Sequence, residues 1–256
     1  MSDADASPDA SPGASADTAS TGKKSRKMPL WLETLVLLTV AIGLALIIKT
    51  LFVQAFYIPS ASMKPGLIEN DRILVQKVSY WFGGAPERGD VVVFEDPGDW
   101  LSGIEPGPTS PLVKGLTRIG LYPSGGHLVK RVVGVEGDTI VCCDEQGRLE
   151  VNGVALDEDD FIKPQPTCDG PMPGPACDWT AGPVPEGELF VMGDNRNRSA
   201  DSSARLCVDA GPQCDPTDAF VPVDLVVGKA FALVWPLGRA TFIGRPDVFD
   251  QVEDAP

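Results

Sequence analysis

The chain is 256 residues long with a formal net charge of −15, which argues against nucleic acid as a partner of its body. A single histidine, His127, leaves almost no room for a His-dependent triad or a His-rich metal site. With 24 prolines and 27 glycines between β-branched clusters, the chain favours strands and turns over a helix bundle.

Residues 1–28 open the chain. The Ser/Ala/Asp/Pro-rich start has too little apolar surface to offset the entropy of ordering it, so a disordered tail is expected, ending in the basic cluster "KKSRK" at 23–27. Residues 29–55 follow as a continuous apolar run. Between Leu30 and Phe56 only Glu33 and Lys49 are charged, and Thr34 to Ile48 is uncharged, which predicts a transmembrane anchor. A cleaved secretory signal is the rival; the apolar region is longer than such signals use, and no clear A-x-A site follows before Ser62. The basic cluster places the tail in the cytoplasm and the body outside, a single-pass cell-membrane topology with the lipid bilayer as a partner.

The body, residues 56–245, alternates short β-branched runs with turn signals: "RILVQKV", "DVVVF", "HLVKRVVGV", "DTIVCC", "RLEVNGVAL", "ELFVMG" and "KAFALVW". A mostly β fold of antiparallel sheets or partial barrels behind one N-terminal transmembrane helix is expected. Residues 95–125 and 155–183 are Pro/Gly-rich and are expected as irregular surface excursions, and 246–256 as an acidic tail. Six cysteines, at 142, 143, 168, 177, 207 and 214, all follow the apolar run and suit an oxidising compartment. Cys168 and Cys177, and Cys207 and Cys214, are each spaced to close a short loop. The vicinal pair Cys142 and Cys143 is expected to find partners elsewhere rather than bond to itself.

Three polar clusters interrupt apolar sequence. "IPSASMKPGL" at 58–67 holds Ser60 and Ser62, as either a polar exit loop or a nucleophile at the membrane surface. "LVKRVVGVEGD" at 128–138 sets Lys130 and Arg131 into a β-branched strand, where adjacent residues face opposite sides. "MGDNRNRSADSSAR" at 192–205 packs Asp194, Asn195, Arg196, Ser199 and Asp201 into a tight turn region. A serine needs a base, and with one histidine in the chain a buried, neutral lysine is the obvious substitute. Keeping a lysine neutral near pH 7–8 takes about 3–4 kcal/mol of differential destabilisation, which burial can supply.

"IPSASMKPGL", "RGDVVVF", "HLVKRVVGVEGD" and "GDNRNRSADS" resemble, in order, the four boxes of bacterial type I signal peptidases, with the likeness spanning about residues 30–235. That resemblance implies a membrane-bound serine endopeptidase that removes signal peptides from secretory preproteins, with no metal or nucleotide cofactor. It implies Ser62 as nucleophile, Lys130 as general base, and Ser60 with the Ser62 N–H as the oxyanion hole. Ser199 would orient the lysine amine, Asp201 would support the turn, and Asp194 would pair with Arg131. Phe56, Ile58, Met63, Leu67 and Val129 would wall shallow pockets for small residues. Ala61 stands where glycine is usual, which the backbone tolerates only at negative φ. Ser203 stands where an arginine usually neighbours the aspartate, so the role of Asp201 is the least secured. An anchored binding module and a self-cleaving Ser–Lys repressor are the rivals. The second would need a basic DNA-binding head that this chain lacks. "RGDVVVF" is expected to be structural, not an adhesion motif.

Overall fold

The computed structural model describes residues 29–98, 100–101, 126–163, 178–207 and 215–255, with the backbone alone at 47–51 and 81–83. The expected N-terminal tail, most of both irregular segments, and Cys168, Cys177 and Cys214 lie outside the described residues.

The apolar run forms helix α1, Leu30–Phe52. Among the described residues no helix is long and apolar enough to cross a membrane. The helix also ends earlier than the apolar pattern suggests. Val53–Tyr57 is strand β1, paired antiparallel with β2, Arg72–Gln76. Hydropathy runs unbroken across the junction because Phe56 goes on to fill a protein core.

The remaining strands are β3 (Val91–Glu95), β4 (His127–Gly134), β5 (Ile140–Cys142), β6 (Leu149–Val151), β7 (Val154–Ala155), β8 (Trp179–Ala181), β9 (Glu188–Met192), β10 (Val221–Pro222), β11 (Val226–Trp235) and β12 (Thr241–Phe242). They make two antiparallel sheets. One runs β1-β2-β11-β3-β4-β9-β10 with β12 added to β11; the other runs β7-β6-β5-β8. Both are open paths, so no barrel closes among the described residues. Every apolar run singled out in the body supplies a strand, and "RLEVNGVAL" folds back on itself as β6 and β7. β8 falls inside a segment expected to be irregular; three residues are too few to display a period.

The large sheet is buried on both faces, which explains the uninterrupted "VVVF" of β3. Val91 and Val93 join Phe56, Ile58, Met63, Leu67, Ile73 and Leu233 on one side. Val92 and Phe94 join Trp100, Leu128, Val132 and Val191 on the other. A third core, around Ile140, Leu149, Leu156, Phe190 and Phe249, ties in the small sheet.

Arg88 and Asp90, before β3, are both buried, and Arg88 grips Asp138 through two bonds of 2.6 and 2.7 Å. An adhesion role needs those side chains on the surface, so the motif acts in the fold. The cysteine expectation is corrected. Cys142 bonds to Cys143 across a cis peptide, with their Cα atoms 3.0 Å apart. Cys207 is also disulfide-bonded.

Candidate active site

The Ser60/Ser62 segment is the connection between β1 and β2. Its feet are apolar: Ile58, Met63 and Leu67 are all buried in the core beneath it. Backbone bonds from Ile58 N to Asp71 O and from Asn70 N to Ile58 O draw its ends together, with Asn70 in the left-handed region at φ 75°. Ala61 is not among the positive-φ residues, so the methyl that replaces glycine there meets no backbone penalty. Within the loop the Ser60 and Ser62 hydroxyls lie 3.2 Å apart, and Ser62 is buried.

Lys130 sits in the middle of β4 opposite Val92, on the face it shares with Leu128 and Val132. It is only 4 % exposed. Burial pushes its ammonium well below the usual lysine range, and the negative charges of Asp201 and Asp194 pull partly the other way. Arg131, its neighbour, points to the opposite face and is also buried. It meets Asp194 in a two-pronged pair of 2.8 and 2.7 Å, donates to Gly89 O at 2.8 Å, and lies 4.6 Å over the Phe161 ring.

The turn after β9 closes the arrangement. The Asn195 N–H donates to Ser62 O at 2.9 Å and its side-chain amide to Ala61 O at 3.0 Å, so one residue holds the serine loop by two consecutive carbonyls. Asp201 accepts from Gly193 N at 2.8 Å and from the Ser203 hydroxyl at 2.7 Å and N–H at 3.1 Å. Ser203 therefore takes up the aspartate where an arginine was expected. Ser199 is 1 % exposed, and its Oγ has no hydrogen-bond partner among the described residues. Arg196 and Glu158 form a second buried pair at 2.7 Å behind the turn.

A cleft of about 370 Å³ is lined by Ser60, Ser62 and Lys130 together with Ile58, Met63 and Val129. Phe56 and Leu67, expected on the walls, are packed into the core below instead. His127, at the start of β4, also lines the cleft, as do Trp100, Leu128 and Arg198, which were not singled out as its walls. Trp100 belongs to an irregular stretch whose burial no periodicity announces. Among the described residues no cluster of His, Cys, Asp or Glu is placed to hold a metal ion.

Gly193 is where these parts meet. A Cβ there would run into the Ser62 carbonyl and the Ser199 hydroxyl, both nearer than van der Waals contact allows. Gly193→Ala should lower kcat by about 10²-fold by displacing the serine loop, as small misplacements of reacting groups do. Gly238→Ala, at a position with nothing within 4 Å, should leave the same rate unchanged.

Comparison with known proteins places the chain in a family. Residues 31–235 match the model of the family described as signal peptidase, peptidase S26. The chain is 37% identical over 252 residues to signal peptidase I of Mycobacterium tuberculosis, covering 92% of this chain and 83% of that one. It is 36% identical over 237 residues to a probable signal peptidase I of Mycobacterium leprae, covering 86% and 81%. With a probable signal peptidase I-2 of Synechocystis it shares 32% over 240 residues, covering 92% and 88%. A family model matched over residues 31–235, with relatives more than 30% identical along most of both chains, shows that the chain is a serine endopeptidase belonging to the signal peptidase I family.

Proposed function

We propose that this protein removes N-terminal signal peptides from exported secretory preproteins with a Ser62–Lys130 dyad, at the outer face of the cell membrane. The observation that carries the reading is a lysine buried in an apolar strand, its pKa lowered by that burial, on the same cleft as Ser62. A neutral amine at pH 7–8 is what a serine hydroxyl needs as its base.

In this mechanism Ser62 Oγ attacks the scissile carbonyl while its proton passes to Lys130 Nζ. The oxyanion is held by the Ser60 hydroxyl and the Ser62 N–H. Lys130 then protonates the leaving amine, and the acyl-enzyme on Ser62 is opened by a water that Lys130 deprotonates. Ser199, with its buried and otherwise unengaged hydroxyl, orients the amine. Asp201 and the Arg131–Asp194 pair hold the turn and strand that carry these groups. Ile58, Met63 and Val129 shape walls that suit small side chains on the substrate.

The membrane anchor is part of the proposal. It is proposed from the apolar run at 29–55, since the described residues alone hold no helix long and apolar enough to cross; with residues 47–51 counted by sequence, the 23 residues of α1 reach about 34 Å at 1.5 Å per residue, against an apolar bilayer core of about 30 Å. Leu35, Val36, Leu37 and Leu38 are exposed in succession, so apolar side chains point away from the helix in every direction. The intended organisation is a cytoplasmic tail (1–28), an anchor (29–55), a catalytic body (56–245) outside the membrane and an acidic end (246–256). No nucleic acid, metal or nucleotide enters the reaction.

The test is cleavage of a preprotein by the detergent-solubilised protein. Wild type should release the mature chain after an Ala-x-Ala site, and Ser62→Ala should release none while giving an unchanged circular dichroism spectrum. A Ser62→Ala protein that cuts as fast as wild type would sink the assignment.

A further inference from the structure

Arg198 lies on the wall of the catalytic cleft, and the chemistry above makes no use of it. Three nearby arginines show what this fold does with a structural guanidinium: Arg88, Arg131 and Arg196 are each buried against a carboxylate, on Asp138, Asp194 and Glu158. Arg198 is exposed and belongs to none of the ion pairs among the described residues. Glu69, the carboxylate that feels its charge, is already taken by Lys64 at 2.8 Å.

The side chain nonetheless starts from a fixed point. Arg198 ends the 3-10 turn Arg196–Arg198, its N–H donates to Asn195 O at 2.9 Å, and buried Ser199 follows it. Asn195 is the residue that grips the serine loop, so the base of Arg198 is held in register with Ser62. No Asp or Glu lines the cleft among the described residues, in a chain whose net charge is −15. Lys130 must be neutral to act, which leaves Arg198 as the permanent positive charge at the cleft.

We infer that Arg198 is a specificity-determining residue that recognises an acidic side chain of the preprotein next to the scissile bond. This rests on the signal-peptidase reading and narrows its substrate class to cleavage sites carrying Asp or Glu at a position not reserved for a small residue. An extended substrate advances about 3.3 Å per residue. The positions beside the bond that no small residue must fill are the one between the two small residues of the Ala-x-Ala site and the first and second residues after the bond, and the acidic residue is assigned to one of these three. The cleft walls exclude some water from such a pair, yet the arginine is open to solvent, so a modest preference is expected.

The experiment uses the full-length protein in neutral detergent and peptides with an Ala-x-Ala site carrying Asp or Asn at each of those three positions. The readout is the ratio of kcat/KM for the Asp peptide to that for the Asn peptide within each protein, which cancels any loss of folded enzyme. Wild type should prefer Asp by about 5-fold at one position, less so at high salt. The ratio should fall to about one in Arg198→Gln, and Arg198→Glu should prefer Lys there. A wild-type ratio of one at all three positions, with both peptides cut, overturns the inference and leaves the signal-peptidase reading standing. So does a preference that survives Arg198→Glu, or one that appears only with anionic phosphatidylglycerol vesicles. A wild type that cuts no peptide overturns both.

Discussion

Replacing Lys130 by methionine is expected to remove about four orders of magnitude or more from kcat/KM with the protein still folded, because on the proposed mechanism the lysine and the serine act as one unit. Methionine fills much the same space on β4 between Leu128 and Val132, so packing should survive. The pH dependence separates a base from a bystander. Burial lowers the Lys130 pKa, so the neutral amine already dominates at pH values where an ordinary lysine is charged. Wild-type kcat/KM should rise with pH through that lowered value and level off well below pH 10, and the residual rate of Lys130→Met should lack that limb. Stability responds too. Between the lowered folded value and the usual lysine value, the unfolded chain holds a proton that the folded chain lacks. Wild type therefore gains stability as pH climbs through that window and is penalised in full below it. Lys130→Met should unfold later than wild type at low pH, with the gap closing toward pH 10. A flat difference across that range would mean that the lysine titrates normally.

The second large effect concerns stability. Asp194→Ala should cost about 3–5 kcal/mol, since it strands the Arg131 guanidinium in a site where its side chain is 7% exposed. Chemical denaturation measures this directly, and Arg131→Met combined with Asp194→Leu should recover most of the loss. The same substitution has a kinetic signature. Asp194 is one of two carboxylates that raise the Lys130 pKa, so removing it should move the acidic limb of the rate profile to lower pH. A destabilised protein whose limb stays in place would show that the pair supports the fold alone.

Much of this layout was legible in the chain because β-branched runs mark strands and polar residues inside those runs mark a site. Lys130 and Arg131 stood out as charges in an apolar strand, and each is buried. What escaped depends on separation along the chain. Arg88 meets Asp138 across 50 residues, and Arg196 meets Glu158 across 38, spacings that carry no local pattern. Asn195 looked like one more turn residue, since its grip on the carbonyls of Ala61 and Ser62 spans two distant segments. β1 was hidden by the apolar helix running into it, and Phe56 and Leu67 were apolar enough for either a cleft wall or a core.

Asp201 accepts from the Gly193 amide and from both groups of Ser203, and its charge is also felt by the buried Arg196 guanidinium. Serine hydrogen-bonds that carboxylate without bringing a charge of its own, and the carboxylate raises the Lys130 pKa against the larger, opposite effect of burial. On the proposed mechanism, Lys130 therefore takes up its proton at a higher pH than it would without that carboxylate, so a residue that never touches substrate helps to set the pH below which the reaction slows.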